Sequence, residues 1–101
     1  MRPANSVRGE VALALGERSL VLRPSFEALV AAEAELGPLF ALVERAAAGG
    51  LTLAEMAGLF WHCLAERGED RAHFGEALVA GGLAKATPAL RALLEQILAG
   101  R

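Results

Sequence analysis

A chain of 101 residues has the length of one domain, enough to bury roughly two-thirds of the surface its unfolded form exposes. A net charge of −2 with scattered Lys and Arg argues against a nucleic-acid footprint, and four Phe, one Trp and no Tyr leave little for base stacking or binding hot spots. A single cysteine, Cys63, excludes an internal disulfide, and the 54% hydrophobic content, much of it alanine, points to a thin-walled, helix-rich core.

No run reaches the roughly 18 apolar residues of a membrane span, and the opening MRPANSVRGE has no apolar h-region. The expectation is a soluble, cytoplasmic domain. Residues 1–7 show little periodicity and are expected to fray. From residue 8 the chain alternates, with Val11, Leu13 and Leu15 on one face and Glu10, Ala12 and Ala14 on the other. Gly16-Glu17 reads as a two-residue type II′ hairpin turn, glycine first. That loop sets Leu15 opposite Arg18, Leu13 opposite Leu20 and Val11 opposite Leu22, with Glu10 facing Arg23 across the other face. A slip of one residue breaks the match.

Pro24 separates the hairpin from a helix. It has no N–H for a ladder, and its fixed φ suits a helix start. Ser25 is the expected N-cap, Glu27 favours the dipole, and Phe26, Leu29, Val30 and Leu36 form the expected core face. Gly37-Pro38 ends it. A second helix carries Leu39, Phe40, Leu42, Val43 and Ala46, closed by Gly49-Gly50. Thr52 and Glu55 spell a capping box for a third helix over residues 53–67, with a stripe of Leu53, Met56, Ala57, Phe60 and Leu64. Asp70 caps a fourth, with Phe74, Ala77 and Leu78 inward and Gly81-Gly82 at its end. Thr87-Pro88 is expected to open a fifth, carrying Leu90, Leu93, Leu94, Ile97 and Leu98, with Arg91 and Glu95 an i,i+4 pair on its far side. The fold class is therefore α+β and mostly helical. An N-terminal hairpin (8–23) precedes about five short packed helices (25–100) in a single domain, 1–101.

Residues 8–37, RGEVALALGERSLVLRPSFEALVAAEAELG, resemble the opening of the small tail assembly chaperones of gene transfer agents and related tailed phages, a family also labelled tail tube proteins. The resemblance is carried by Arg8, Gly9, Glu10 and Val11, then by Leu22, Arg23, Pro24, Ser25, Phe26, Glu27, Ala28 and Leu29, and finally by Glu33, Leu36 and Gly37. It continues in outline through residues 53–64 and does not include the fifth helix. It implies a non-enzymatic protein, without cofactor or metal, encoded in a prophage or gene-transfer-agent cluster. Such a protein binds the tail tape-measure protein or a tail tube subunit and keeps it soluble during tail assembly. Two alternatives stand beside it: a structural minor tail or tail tube component, and a small helix-turn-helix-like DNA-binding regulator.

Two surfaces suit protein binding. The outer edge of the hairpin at residues 8–14 has no proline or inward charge to protect it, unless a third strand or the N-terminus covers it. On the third helix, Leu59 and Trp61 lie off the main stripe. Val11, Leu13, Leu59 and Trp61 are thus the expected protein-contact residues.

The densest set of reactive side chains is His62, Cys63, Glu66, Glu69, Asp70 and His73. His62 and Glu66, four apart, would share a helix face, but Cys63 points about a hundred degrees away, and no Cys-x-x-Cys or His-Glu-x-x-His is present. These residues are read as solvated polar groups at a helix end. Leu-Thr-Leu-Ala-Glu-Met-Ala has a helix-turn-helix rhythm, yet the following helix offers Arg71 and His73 against Glu76, a poor charge balance for DNA. Gly49-Gly50 and Gly81-Gly82 follow no strand and carry no Lys-Ser or Lys-Thr, so neither is a phosphate loop.

Overall fold

The computed structural model describes residues 3–5 and 8–100. The elements run β1 (Val11–Leu15), β2 (Arg18–Leu22), α1 (Phe26–Leu36), α2 (Leu39–Ala47), α3 (Leu53–Cys63), α4 (Arg71–Ala80) and α5 (Leu83–Ala99). The α+β, mostly helical class expected from the sequence is the class observed.

The two strands pair antiparallel in the expected register, Val11 with Leu22, Leu13 with Leu20 and Leu15 with Arg18. Val11, Leu13 and Leu15 are buried, while Ala12 and Ala14 face out. Gly16 has a φ of +60° and Glu17 keeps a negative φ, which excludes type I′ and fits the type II′ turn. Of the segment expected to fray, residues 1, 2, 6 and 7 lie outside the described residues. Asn5 is tied down: its carbonyl accepts from the N–H groups of Arg8 and Glu10, both at 3.0 Å.

β2 acquires a second neighbour on its other edge. The helix expected over 53–67 ends at Cys63, and the chain turns extended to run antiparallel beside β2. Leu64 bridges Leu22, the Ala65 N–H donates to the Val21 carbonyl at 2.9 Å, and the Arg23 N–H donates to the Cys63 carbonyl at 2.6 Å. Backbone groups that a further helical turn would have paired are paired by the strand instead. Arg67, expected inside the helix, lies beyond it and donates through Nε and Nη2 to the Trp61 carbonyl, satisfying the helix end from outside.

α1 starts as expected, with Ser25 Oγ accepting from the Ala28 N–H at 3.1 Å, and stops at Gly37, φ +90°. Its buried face is rotated from the expected one. Ala32 is fully buried, with Ala28, Leu29 and Leu36 packed on the core, whereas Phe26 is 83% and Val30 47% exposed. The reason is close approach. α1 packs along α3, where Gly58 sits so near Leu36 that an added Cβ would lie 3.2 Å from its Cδ2. Gly58 leaves α3 without a side chain at this point, so the Leu36 side of α1 seats closely against it and Phe26 and Val30 are turned away from the core. Phe40 of α2, also expected on an apolar face, is 76% exposed, and Leu42 takes the buried position.

α5 begins at Leu83, five residues before the expected start, with Pro88 inside it. The extra turn brings Ala86 into the core at 1% exposure. Pro88 near the N-terminal end costs one backbone hydrogen bond, at the Ala84 carbonyl. No ion pair joins Arg91 and Glu95. α5 lies along β1, and α4 turns away from it by 114° at Gly81-Gly82. The core joins Leu13 and Leu22 of the ribbon to Leu59, Phe60 and Cys63 of α3, Phe74 and Leu78 of α4 and Leu93 of α5. Each large apolar side chain buried there contributes about 1.5–3 kcal/mol. Among the described residues, no single helix is long and apolar enough to cross a membrane.

Candidate functional site

α3 and α4 carry apolar residues on two sides. Inward go Leu59, Phe60, Phe74 and Leu78; outward, on the facing surfaces, go Leu53, Ala54 and Ala57 of α3 and Ala72, Gly75 and Val79 of α4. Between the outward sets lies a groove of about 900 Å³. Its floor is alanine and glycine, its walls are Leu53 (45% exposed) and Val79 (53% exposed), and its charged lining residue is Glu76. Its one hydroxyl, Thr52, is engaged as the N-cap of α3, so what the groove presents is shape and apolar contact. The signal was present in the sequence: 72, 75 and 79 repeat at helical spacing on α4, opposite Phe74 and Leu78.

Both helices that form the groove are held at their ends. Thr52 Oγ1 accepts from the Glu55 N–H at 3.1 Å while Glu55 Oε1 accepts from the Thr52 N–H at 3.0 Å, the reciprocal capping box. Glu55 also takes an ion pair from Arg45 of α2. The Thr52 N–H first, then Arg45, hold the Glu55 carboxyl below its ordinary pKa. Asp70 Oδ1 accepts from the His73 N–H at 2.8 Å and caps α4. Arg71 then reaches from α4 to Glu35 of α1, Nη1 to Oε1 at 2.8 Å and Nη2 to Oε2 at 2.5 Å, and His62 Nε2 lies 2.7 Å from Glu35 Oε1. One carboxylate therefore joins α1, α3 and α4. Arg71 first, with His62 second, lowers the Glu35 pKa from 4.5 to about 2.

The reactive side chains noted in the sequence are dispersed into such roles. His62 serves Glu35, Asp70 caps α4, and Glu69 pairs with Arg18 at 2.9 Å. Glu66 lies past the end of α3, so it does not share a helix face with His62. Cys63 is fully buried, and that burial pushes its thiol up to about 12. No group of three or more His, Cys, Asp or Glu is placed to hold a metal among the described residues.

Of the four expected contact residues, Val11, Leu13 and Leu59 have their side chains in the core, at 8%, 0% and 0% exposure. Trp61 is half-buried. Its ring lies 5.9 Å from that of Phe74, and the Arg67 guanidinium sits 4.9 Å over it. On the far side of the ribbon, a smaller groove of about 500 Å³ runs between β1 and α5.

Comparison with curated proteins and with solved structures gives no match. A family model described as "Phage tail tube protein, GTA-gp10" matches residues 8–100. The match extends through α5, beyond the segment that carried the resemblance in sequence. The chain belongs to this phage tail tube family, GTA-gp10.

Proposed function

We propose that the protein is a tail assembly chaperone that holds an amphipathic helix of the tail tape-measure protein in the α3–α4 groove until the tube encloses it. The observation that carries this reading is the groove itself: apolar, about 900 Å³, and floored with small side chains on two helices capped at their N-termini. α3, at eleven residues, is about 16 Å long, matching roughly three turns of a client helix with anchors at i, i+3 or i+4, and i+7. A tape-measure chain exposes such stripes before assembly, and covering them prevents aggregation.

The test is co-expression with the tape-measure protein of the same gene cluster. The expected result is a soluble complex that survives purification, with the chaperone missing from finished particles. A second reading, a structural component of the tail, is favoured by the family description, which names a tube protein. Finding the chain in purified particles in amounts comparable to the other tail subunits would establish that reading in place of the first.

A further inference from the structure

We infer that the outer edge of β1 is a strand-addition site, which takes an extended segment of another protein bearing alternate small apolar and basic side chains. The register decides which backbone groups are free. A two-residue loop makes Leu15 and Arg18 a hydrogen-bonded pair, so Leu13–Leu20 and Val11–Leu22 also exchange bonds inward. By the same parity, Ala12 and Ala14 turn their N–H and C=O groups away from β2. The opposite edge verifies the parity, since the outward groups of β2 are those of Val21 and Arg23, and both are bonded to the chain at 63–65. One edge of the ribbon is therefore already extended by an antiparallel segment. At the other edge, the Glu10 N–H, outward by the same parity, is taken by the Asn5 carbonyl at 3.0 Å, while Ala12 and Ala14 have no hydrogen bond beyond the ribbon among the described residues and are exposed.

The groove of about 500 Å³ beside β1 runs along this edge rather than over a face. Glu10, Val11 and Ala12 line it consecutively, although neighbouring side chains of a strand point to opposite faces. Its other wall is α5, which presents the small side chains Ala89 and Ala92 there. α5 stands against β1 along this groove, so the occupant is taken to be a single extended segment rather than a second copy that brings its own α5. The charged residues of the lining are Glu10, already paired with Arg23, and Glu95, which has no ion pair among the described residues. A carboxylate with no lining cation favours a lysine or arginine on the incoming strand.

The test uses the full chain and a synthetic octapeptide of alternating valine and lysine, with an analogue N-methylated at alternate residues as control. Hydrogen exchange at the Ala12 and Ala14 amides is read by NMR. The expected result is at least about tenfold slower exchange at both amides with the peptide and no change with the methylated analogue. Ala12→Pro removes an outward N–H without touching the β1–β2 ladder, and is expected to abolish the effect. Glu95→Lys, on the exposed face of α5, leaves the strand intact and is expected to weaken peptide binding about fivefold or more. Unchanged exchange with saturating peptide would overturn the inference. So would equal binding by Glu95→Lys and Ala12→Pro, or amides already protected in a concentration-dependent way without peptide, which would mean that a second copy takes the edge.

Discussion

Glu10 and Arg23 meet across the open end of the ribbon, where Arg23 Nε and Nη2 both donate to Glu10 Oε2, at 2.9 and 2.8 Å. The Glu10 side chain has no exposed surface, and its other oxygen accepts from the Asn5 N–H at 3.0 Å. The pair clamps the strand ends where the chain leaves for Pro24 and α1. Arg23→Ala is expected to destabilise the fold by about 2–3 kcal/mol. That is below the 3–5 kcal/mol of a fully buried pair, because the Arg23 side chain is 43% exposed. Urea unfolding monitored by Trp61 fluorescence measures it.

Glu35 makes stability depend on acid. Its folded pKa of about 2 lies below its ordinary 4.5, so its contribution is present above pH 4.5 and is lost as pH falls toward 2. The melting temperature of the wild type should exceed that of Glu35→Gln near neutrality, and the gap should close between about pH 4.5 and 2. Equal melting temperatures at every pH would show that the link from α1 to α3 and α4 contributes nothing. The carboxylate is 39% exposed, so added salt should narrow the gap.

The capping box of α3 supports one wall of the groove. Thr52→Ala removes the oxygen that accepts the Glu55 N–H and should cost about 1 kcal/mol. Thr52→Ser keeps that oxygen and should recover most of the loss in the same urea titration.

Cys63 should be inert. Its thiol is fully buried and raised to about 12, so iodoacetamide at pH 8 should leave the native protein unmodified and label it fully in denaturant. Labelling without denaturant would mean that the junction of α3 with β2 opens readily.

The elements that the sequence revealed most fully are those with short-range determinants. The ribbon was legible down to its register, since a two-residue loop and a period of two leave one arrangement that buries Leu13 and Leu22 together. The Glu10–Arg23 contact came with that register. What misled were places where distant chain decides. Phe26 outranks Ala32 in hydrophobicity, yet Gly58 of α3 gives room to Leu36, and seating α1 on its Leu29, Ala32 and Leu36 side leaves the phenylalanine outside. α3 stops at Cys63 because β2 offers hydrogen bonds there, and nothing near Leu64 announces it. Thr87-Pro88 looks like a helix start, but the core has a place for Ala86 one turn earlier. The α3–α4 groove is hard to see in the sequence because α4 is apolar on two sides, and the face that stands out there is Phe74, Ala77 and Leu78.

Affinity for the tape-measure protein, compared between the wild type and Val79→Asp, is the most direct measurement. Val79 is 53% exposed on the groove wall, so aspartate there should leave the melting temperature within a degree or two while placing a charge where a client's apolar face would rest. The predicted result is a soluble complex with the wild type and at least about tenfold weaker binding by the variant. Equal retention of the client by both proteins, or no association by either, would contradict the chaperone role assigned to this groove.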